Sequence, residues 1–176
     1  STRMAAQVRG LNQAARNASD GISVAQTAEG ALGEIGNMLQ RMRELAVQSS
    51  NATNGTSDRQ NLDSEFQQLA DEIDRTLAGT MFNGLAILGA SAGSMTFQIG
   101  AGTSSNDTLG VSTTRLDNNA TITNVTGASS DITTVAKSTT AITNIDAALD
   151  LVNTQRATYG AAQNRFSAVI STLQVS

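Results

Sequence analysis

Through the first fifty residues, apolar side chains recur three and four positions apart. Met4, Val8, Leu11, Ala15, Ala18, Ile22 and Ala25 mark the stripe, and Ala28, Leu32, Ile35, Leu39, Met42 and Ala46 continue it. This spacing lays one narrow seam along a polar helix, a pattern suited to lengthwise packing against other helices. It predicts a helix over residues 2–49, roughly 70 Å long at about 1.5 Å per residue. A compact domain needs nothing so long, so the pattern predicts a rod. Carried past Ala25, the first register would put Glu29 and Gly36 in the seam. The apolar face is therefore expected to rotate there, as a nearly straight helix drifts against a seven-residue repeat. Gly10, Gly21, Gly30, Gly33 and Gly36 each cost about 1 kcal/mol against Ala inside a helix. Close approach of neighbouring backbones is the expected return.

The polar run from Ser49 to Thr56 breaks the pattern with turn-forming residues. A second helix follows over 58–77, with Leu62, Phe66, Leu69, Ile73 and Leu77 as its stripe and Ser57 or Asp58 as its cap. The short break folds it back along the distal part of the first helix. Over 79–116 the period changes. Leu85 to Leu88 and Met95 to Ile99 run apolar or alternate across a Gly/Ser turn, and Thr108 to Thr113 adds a third strand. A small antiparallel hairpin or meander resting on the helices is expected. Residues 117–140, rich in Thr, Ser and Asn, read as a surface loop. A last helix over 140–175 carries Ile142, Ile145, Leu149, Val152, Tyr159, Phe166, Ile170 and Leu173, with Arg156 and Gln163 at the edge of its seam. The fold class is mainly α: an elongated bundle of three long helices with a small β-hairpin or meander at one end. At the start the stripe begins at once, without a capping sequence, and at the end Val169, Ile170 and Leu173 are still in register. The sequence therefore reads as a fragment cut through continuing helices.

Composition narrows the function. One Tyr, four Phe and no Trp leave Ala, Leu, Ile and Val to build thin helix–helix seams. The net charge of −4 comes without charge blocks, which argues against nucleic acid or an anionic membrane as partner. No histidine and no cysteine occur. An imidazole base, a thiolate nucleophile, a histidine zinc site, a disulfide and an HExxH centre are thereby excluded. Absent proline suits unkinked helices. No apolar run is long enough to span a membrane, and no signal peptide is visible. The N-x-Ser/Thr matches at Asn17, Asn51, Asn54, Asn106, Asn119 and Asn124 are those expected by chance of so Asn- and Thr-rich a chain. Acids such as Asp71, Glu72 and Asp74 read as a solvated helix face.

Three stretches carry a family resemblance. LNQAARNASDGISVAQTAEGALGEIGNMLQRMRELAVQSSNATN runs from Leu11 to Asn54, DRQNLDSEFQQLADEIDRTLAGTMFNGLAIL from Asp58 to Leu88, and AITNIDAALDLVNTQRATYGAAQNRFSAVISTL from Ala141 to Leu173. In that order they closely resemble the rod-forming core of bacterial flagellin, on both its amino- and carboxy-terminal sides. The resemblance implies a secreted, extracellular filament subunit, exported without a cleavable signal peptide and polymerised into a helical tube. It implies other flagellin subunits as partners, with an export chaperone and a cap acting on the full-length parent. No cofactor is implied. The terminal helices that pair as a coiled coil lining the tube would be missing, so this segment is expected to stay monomeric alone. Only 89–140 separates the two halves, as in a flagellin without outer domains or with those domains removed. Sugar modification of outer Ser or Thr, frequent in the family, would fall within 117–140.

The resemblance also implies a contact surface. Gln40, Arg41, Arg43, Glu44, Leu45 and Gln48 match the segment gripped by Toll-like receptor 5, the animal innate sensor of flagellin. By that resemblance Arg41 and Leu45 take the positions that carry much of the contact. Registering on Glu72 to Arg75 adds Glu65 and Gln68 from the second helix. The same region would contact neighbouring subunits, so only the monomer would be seen. On physical grounds Arg41 and Leu45, four apart, share a helix face. An Arg with bidentate reach and an exposed Leu suit an interface. Spacing alone favours a blander reading, in which Arg41, Arg43 and Glu44 solvate the helix and Leu45 widens the core stripe.

Three rival readings fit less well. A hook–filament junction protein shares the core architecture, but the QRMRELAVQ and AAQNRFSAVI stretches resemble flagellin better. A glycan-binding surface adhesin could use a helical rod, yet one Tyr offers little aromatic platform. An enzyme has no nucleophile or metal motif to work with.

Overall fold

The computed structural model describes residues 1–175. Helix α1 runs unbroken over Thr2–Ser49. It does have a cap: the Ser1 hydroxyl accepts from the Met4 backbone N–H at 3.3 Å. Helix α2 spans Thr56–Gly79, and the Asp58 carboxylate turns back to accept the Gly55 N–H at 3.0 Å. Between them, the Arg59 guanidinium donates to the carbonyls of Ser49 and Asn51, both at 2.9 Å. The Ser49 carbonyl is one that the end of α1 would otherwise leave without a partner, and Asn51, just past it, also accepts from Asn54. A final helix, α4, spans Val135–Val175, and a short helix α3 occupies Ala120–Thr126.

Helices α1 and α4 form the spine and run antiparallel with one steady register. Gly21 faces Phe166, Glu29 pairs with Arg156, Gly36 faces Val152 and Arg43 pairs with Asp146. The buried face of α1 comprises Ala14, Ala18, Gly21, Val24, Ala25 and Ala28, then Leu32, Ile35, Gly36, Leu39 and Met42. Ala15 and Ile22, expected at its centre, are half-buried beside it. Gly36 does lie in the seam, and Glu29 sits at its rim against Arg156 at 2.7 Å. Met4 and Val8 are 66% and 56% exposed, because Leu173 already lies level with Leu11 and Ala15 and no described turn of α4 reaches further. The glycines divide by role. A Cβ on Gly21 would strike the Phe166 ring, and Gly33 and Gly36 lie against Arg156 and Val152, whereas Gly10 and Gly30 face open space.

The β region differs in detail from the meander. Strands β1 (Met81–Phe82) and β2 (Leu85–Ala86) form a two-pair hairpin, and β3 (Ser94–Gln98) pairs with β4 (Thr108–Ser112). Leu85 thus pairs with Phe82 rather than with the Met95 strand. The overlooked signal is Asn83-Gly84, whose φ values of 50° and 77° make the tight turn that two-residue hairpins favour. Ile87 and Leu88 then leave the hairpin for the core, where Leu88 O accepts from the Leu116 N–H at 2.9 Å. The second hairpin lies along the spine: Phe97 meets Phe166 edge-on at 5.6 Å, and Gln98 O accepts from Asn17 Nδ2 at 2.8 Å.

Residues 117–140 are not a loop throughout. Asn119 caps α3, which buries Ile122 and Val125 against α2 and α4, and α4 starts at Val135, before the expected 140. The connection between them is a strap pinned at Ile132, which is fully buried. Its N–H donates to Asp63 Oδ1 (3.0 Å), and its carbonyl accepts from Ser49 (2.6 Å) and Ser138 (3.3 Å). One residue thereby joins α1, α2 and α4. The scattered Ile and Val of this stretch supply the buried face, and their spacing is too short to announce a helix of seven residues.

Candidate interface surface

The last third of α1 is flanked on both sides, by α2 and by α4. Covering from two sides widens its buried stripe to Met42, Leu45, Ala46 and Ser49. What stays open is a ridge of Gln40, Arg41, Glu44, Val47 and Gln48. Gln40, Arg43, Glu44, Val47 and Gln48 line a shallow depression on it. Val47 is 46% exposed and was not singled out in the sequence, though its place outside the 39–42–46 stripe marks it.

Ion pairs tie both margins of the ridge. Arg41 Nε and Nη2 donate to the two oxygens of Glu65 on α2, at 2.7 and 3.2 Å, and Nη1 donates to Glu44 at 3.1 Å. Arg43 makes the matching fork to Asp146 on α4, at 2.7 and 3.3 Å. Donating to the Glu65 and Glu44 carboxylates raises the Arg41 guanidinium above its ordinary value, and donating to Asp146 raises that of Arg43. In return Arg43 holds the Asp146 carboxyl below the usual carboxylate range. Both forks are open to water, so they orient side chains more than they hold the fold together. Asp146 is an ion-pair partner of this surface that the sequence did not mark, since only the α1–α4 register brings it opposite Arg43.

The structure brings Arg41 and Glu65 together, with Gln68 exposed on the same helix as Glu65. Leu45 does not join them. It is 2% exposed and belongs to the core, so the expectation of an exposed leucine is corrected: this part of α1 is flanked by other helices, and the side chain packs inward. Among the described residues, no group of three His, Cys, Asp or Glu side chains could hold a metal ion. No described helix is long and apolar enough to cross a membrane.

A long antiparallel helical spine, flanked by a shorter helix and two hairpins and presenting a charged ridge, defines an elongated helical module. Residues 1–93 match the family described as the bacterial flagellin N-terminal helical region. Over 173 residues, 98% of its length, the chain is 45% identical to a flagellin of Halalkalibacterium halodurans, covering 62% of that protein. It is 50% identical to flagellin A of Vibrio anguillarum over 117 residues, 66% of this chain and 31% of that one. This chain belongs to the bacterial flagellin family. The crystal structure of Bacillus cereus flagellin superposes with a TM-score of 0.77 at 34% identity, covering 90% of this chain and 88% of that one. A putative flagellar hook-associated protein from Vibrio parahaemolyticus reaches the same TM-score of 0.77 at only 14% identity, a likeness of fold alone.

Proposed function

We propose that this chain is the rod-like core of a subunit of the bacterial flagellar filament. The observation that carries the reading is the 45% identity to a flagellin along 98% of the chain. The unbroken 48-residue α1 supports it, since such a helix gives the length that stacked subunits need. On this reading the partners are other flagellin subunits, with an export chaperone and a cap serving the full-length protein, and the place is the filament outside the cell. The hook–filament junction reading shares the fold, but its representative matches at 14% identity against 45% for a flagellin. Deleting the gene for the full-length protein is expected to abolish filaments in electron micrographs and swimming in soft agar. Normal filaments in the deletion strain would overturn the proposal.

The ridge is proposed as the surface by which the monomer engages Toll-like receptor 5 and, in the filament, its neighbours. Gln40, Arg41, Arg43, Glu44, Gln48, Glu65 and Gln68 are its residues, and Leu45 serves from beneath by packing. The support is geometric: exposed polar side chains on two helices, oriented by the Arg41–Glu65 fork.

A further inference from the structure

The sequence contains two Asn-Gly dipeptides, Asn54-Gly55 and Asn83-Gly84, and the fold holds them in opposite states. Asn-Gly is chemically fragile because the glycine nitrogen, unhindered by a side chain, can attack the preceding carboxamide. At Asn54 every participant is occupied. Its Nδ2 donates to the carbonyls of Gln48 at 2.6 Å and Asn51 at 3.1 Å. The Gly55 N–H that would have to attack is held by the Asp58 carboxylate at 3.0 Å. That carboxylate also sets negative charge beside a nitrogen that must itself lose a proton.

At the other dipeptide nothing is held. Asn83 and Gly84 are both exposed at the tip of the β1–β2 hairpin. Neither the Asn83 carboxamide nor the Gly84 N–H has a hydrogen-bond partner among the described residues, and a Cβ on Gly84 would meet nothing. The turn is closed by only two residue pairs, so local opening costs little.

We propose that Asn83 is a site of spontaneous deamidation in the folded chain, and that the Asp58 cap protects Asn54. In the reaction Gly84 N gives up its proton and attacks Asn83 Cγ. The N–Cγ bond forms, the Cγ–Nδ2 bond breaks, and ammonia leaves a five-membered succinimide. Water then adds across either C–N bond of the ring and yields aspartate or isoaspartate, with no change in oxidation state. The isoaspartate product carries an extra methylene in the backbone, which the two-residue turn cannot accommodate. The modification therefore unpairs Phe82 from Leu85. This inference stands apart from the filament reading and survives its failure.

The test is incubation of the intact chain at mildly alkaline pH, with peptide mapping by mass spectrometry at intervals and isoaspartate detected by enzymatic methyl transfer. A parallel sample in strong denaturant gives the rates that sequence alone sets. Unfolded, the two sites should convert at similar rates. Folded, Asn83 should outpace Asn54 by roughly tenfold to a hundredfold, the worth of a hydrogen bond to a charged group. Asp58→Ala should raise conversion at Asn54 and leave Asn83 unchanged. Equal folded rates, a faster Asn54, or folded protection of Asn83 as strong as that of Asn54 would each overturn the proposal.

Discussion

Gly21 gives the sharpest test of how closely α1 and α4 approach. An ideal Cβ at that position lies 2.5 Å from Phe166 Cε1 and Cζ and 2.8 Å from Cδ1. Carbon atoms settle at about 3.5–4.0 Å, so the ring or the helix would have to retreat by roughly 1 Å. The ring has little room, being fully buried with its edge set against Phe97 at 5.6 Å and 87°. Overpacking of this kind costs about 1–3 kcal/mol. Against it stands the gain of about 1 kcal/mol from replacing a mid-helix glycine by alanine. Gly21→Ala should therefore range from neutral to about 2 kcal/mol destabilised. Gly30→Ala, on the same helix with open space around its Cβ, should gain about 1 kcal/mol and raise Tm by roughly 2–4 °C. Thermal unfolding by circular dichroism under identical conditions reads the difference. Gly21→Ala combined with Phe166→Leu should recover part of the loss, because the two sites share one contact. If Gly21→Ala raised Tm as much as Gly30→Ala does, the close approach would be refuted.

Two further outcomes follow from burial and charge. Leu45→Ala should cost about 2–5 kcal/mol, seen as a lower urea midpoint; an unchanged midpoint would show that Leu45 is not part of the core. Acid should weaken the strap: burial pushes the Asp131 carboxyl up, but hydrogen bonds from Thr133 and Lys137 outweigh that and leave it below its ordinary value. A depressed folded value means that the unfolded chain takes up the proton first, so stability present above about pH 4 is lost as pH falls below it. Asp146, held down by Arg43, adds to the loss with the same sign. Tm measured from neutral pH downward should drop in that window, and Asp131→Asn should shrink the drop; an unaltered profile would remove Asp131 from the account.

What the sequence made legible was periodicity, and what it hid was register. The stripes of α1, α2 and α4 locate three helices because long apolar repeats persist through noise. The rotation of the α1 face onto Ala14, Gly21 and Val24 was hidden, since it depends on Phe166 needing a glycine across from it. Helix α3 was hidden by its shortness and by Thr and Asn, which compete for backbone hydrogen bonds. The first hairpin was legible in Asn83-Gly84, yet the apolar run Leu85 to Leu88 drew attention to the wrong partner strand. At the candidate surface the family resemblance located Arg41 and Glu65 on two helices. It could not tell that Leu45 faces inward, because one helical face serves both rim and core where a second helix crosses it.

That division between rim and core makes Arg41 the residue that separates binding from folding. Its side chain is 49% exposed, and its partners Glu44 and Glu65 are 70% and 45% exposed. Pairs this open contribute little to stability. Arg41→Ala should therefore leave the thermal transition and the helical circular dichroism nearly unchanged. If the ridge is the receptor's contact surface, the same substitution removes a fork-shaped donor from its margin and frees Glu65 to turn away. Loss of such an anchor costs tenfold or more in affinity, on the order of the effects seen at interface hot spots. A cell reporter bearing the receptor, dosed with wild type and variant, reads that shift directly. Arg41→Lys keeps the charge and loses the fork, so it should restore only part of the response. A variant with an unaltered dose–response curve and an unaltered fold would move the contact surface elsewhere on the rod. A variant that loses both response and fold would instead show that the ion pair holds α2 against α1 more firmly than its exposure allows.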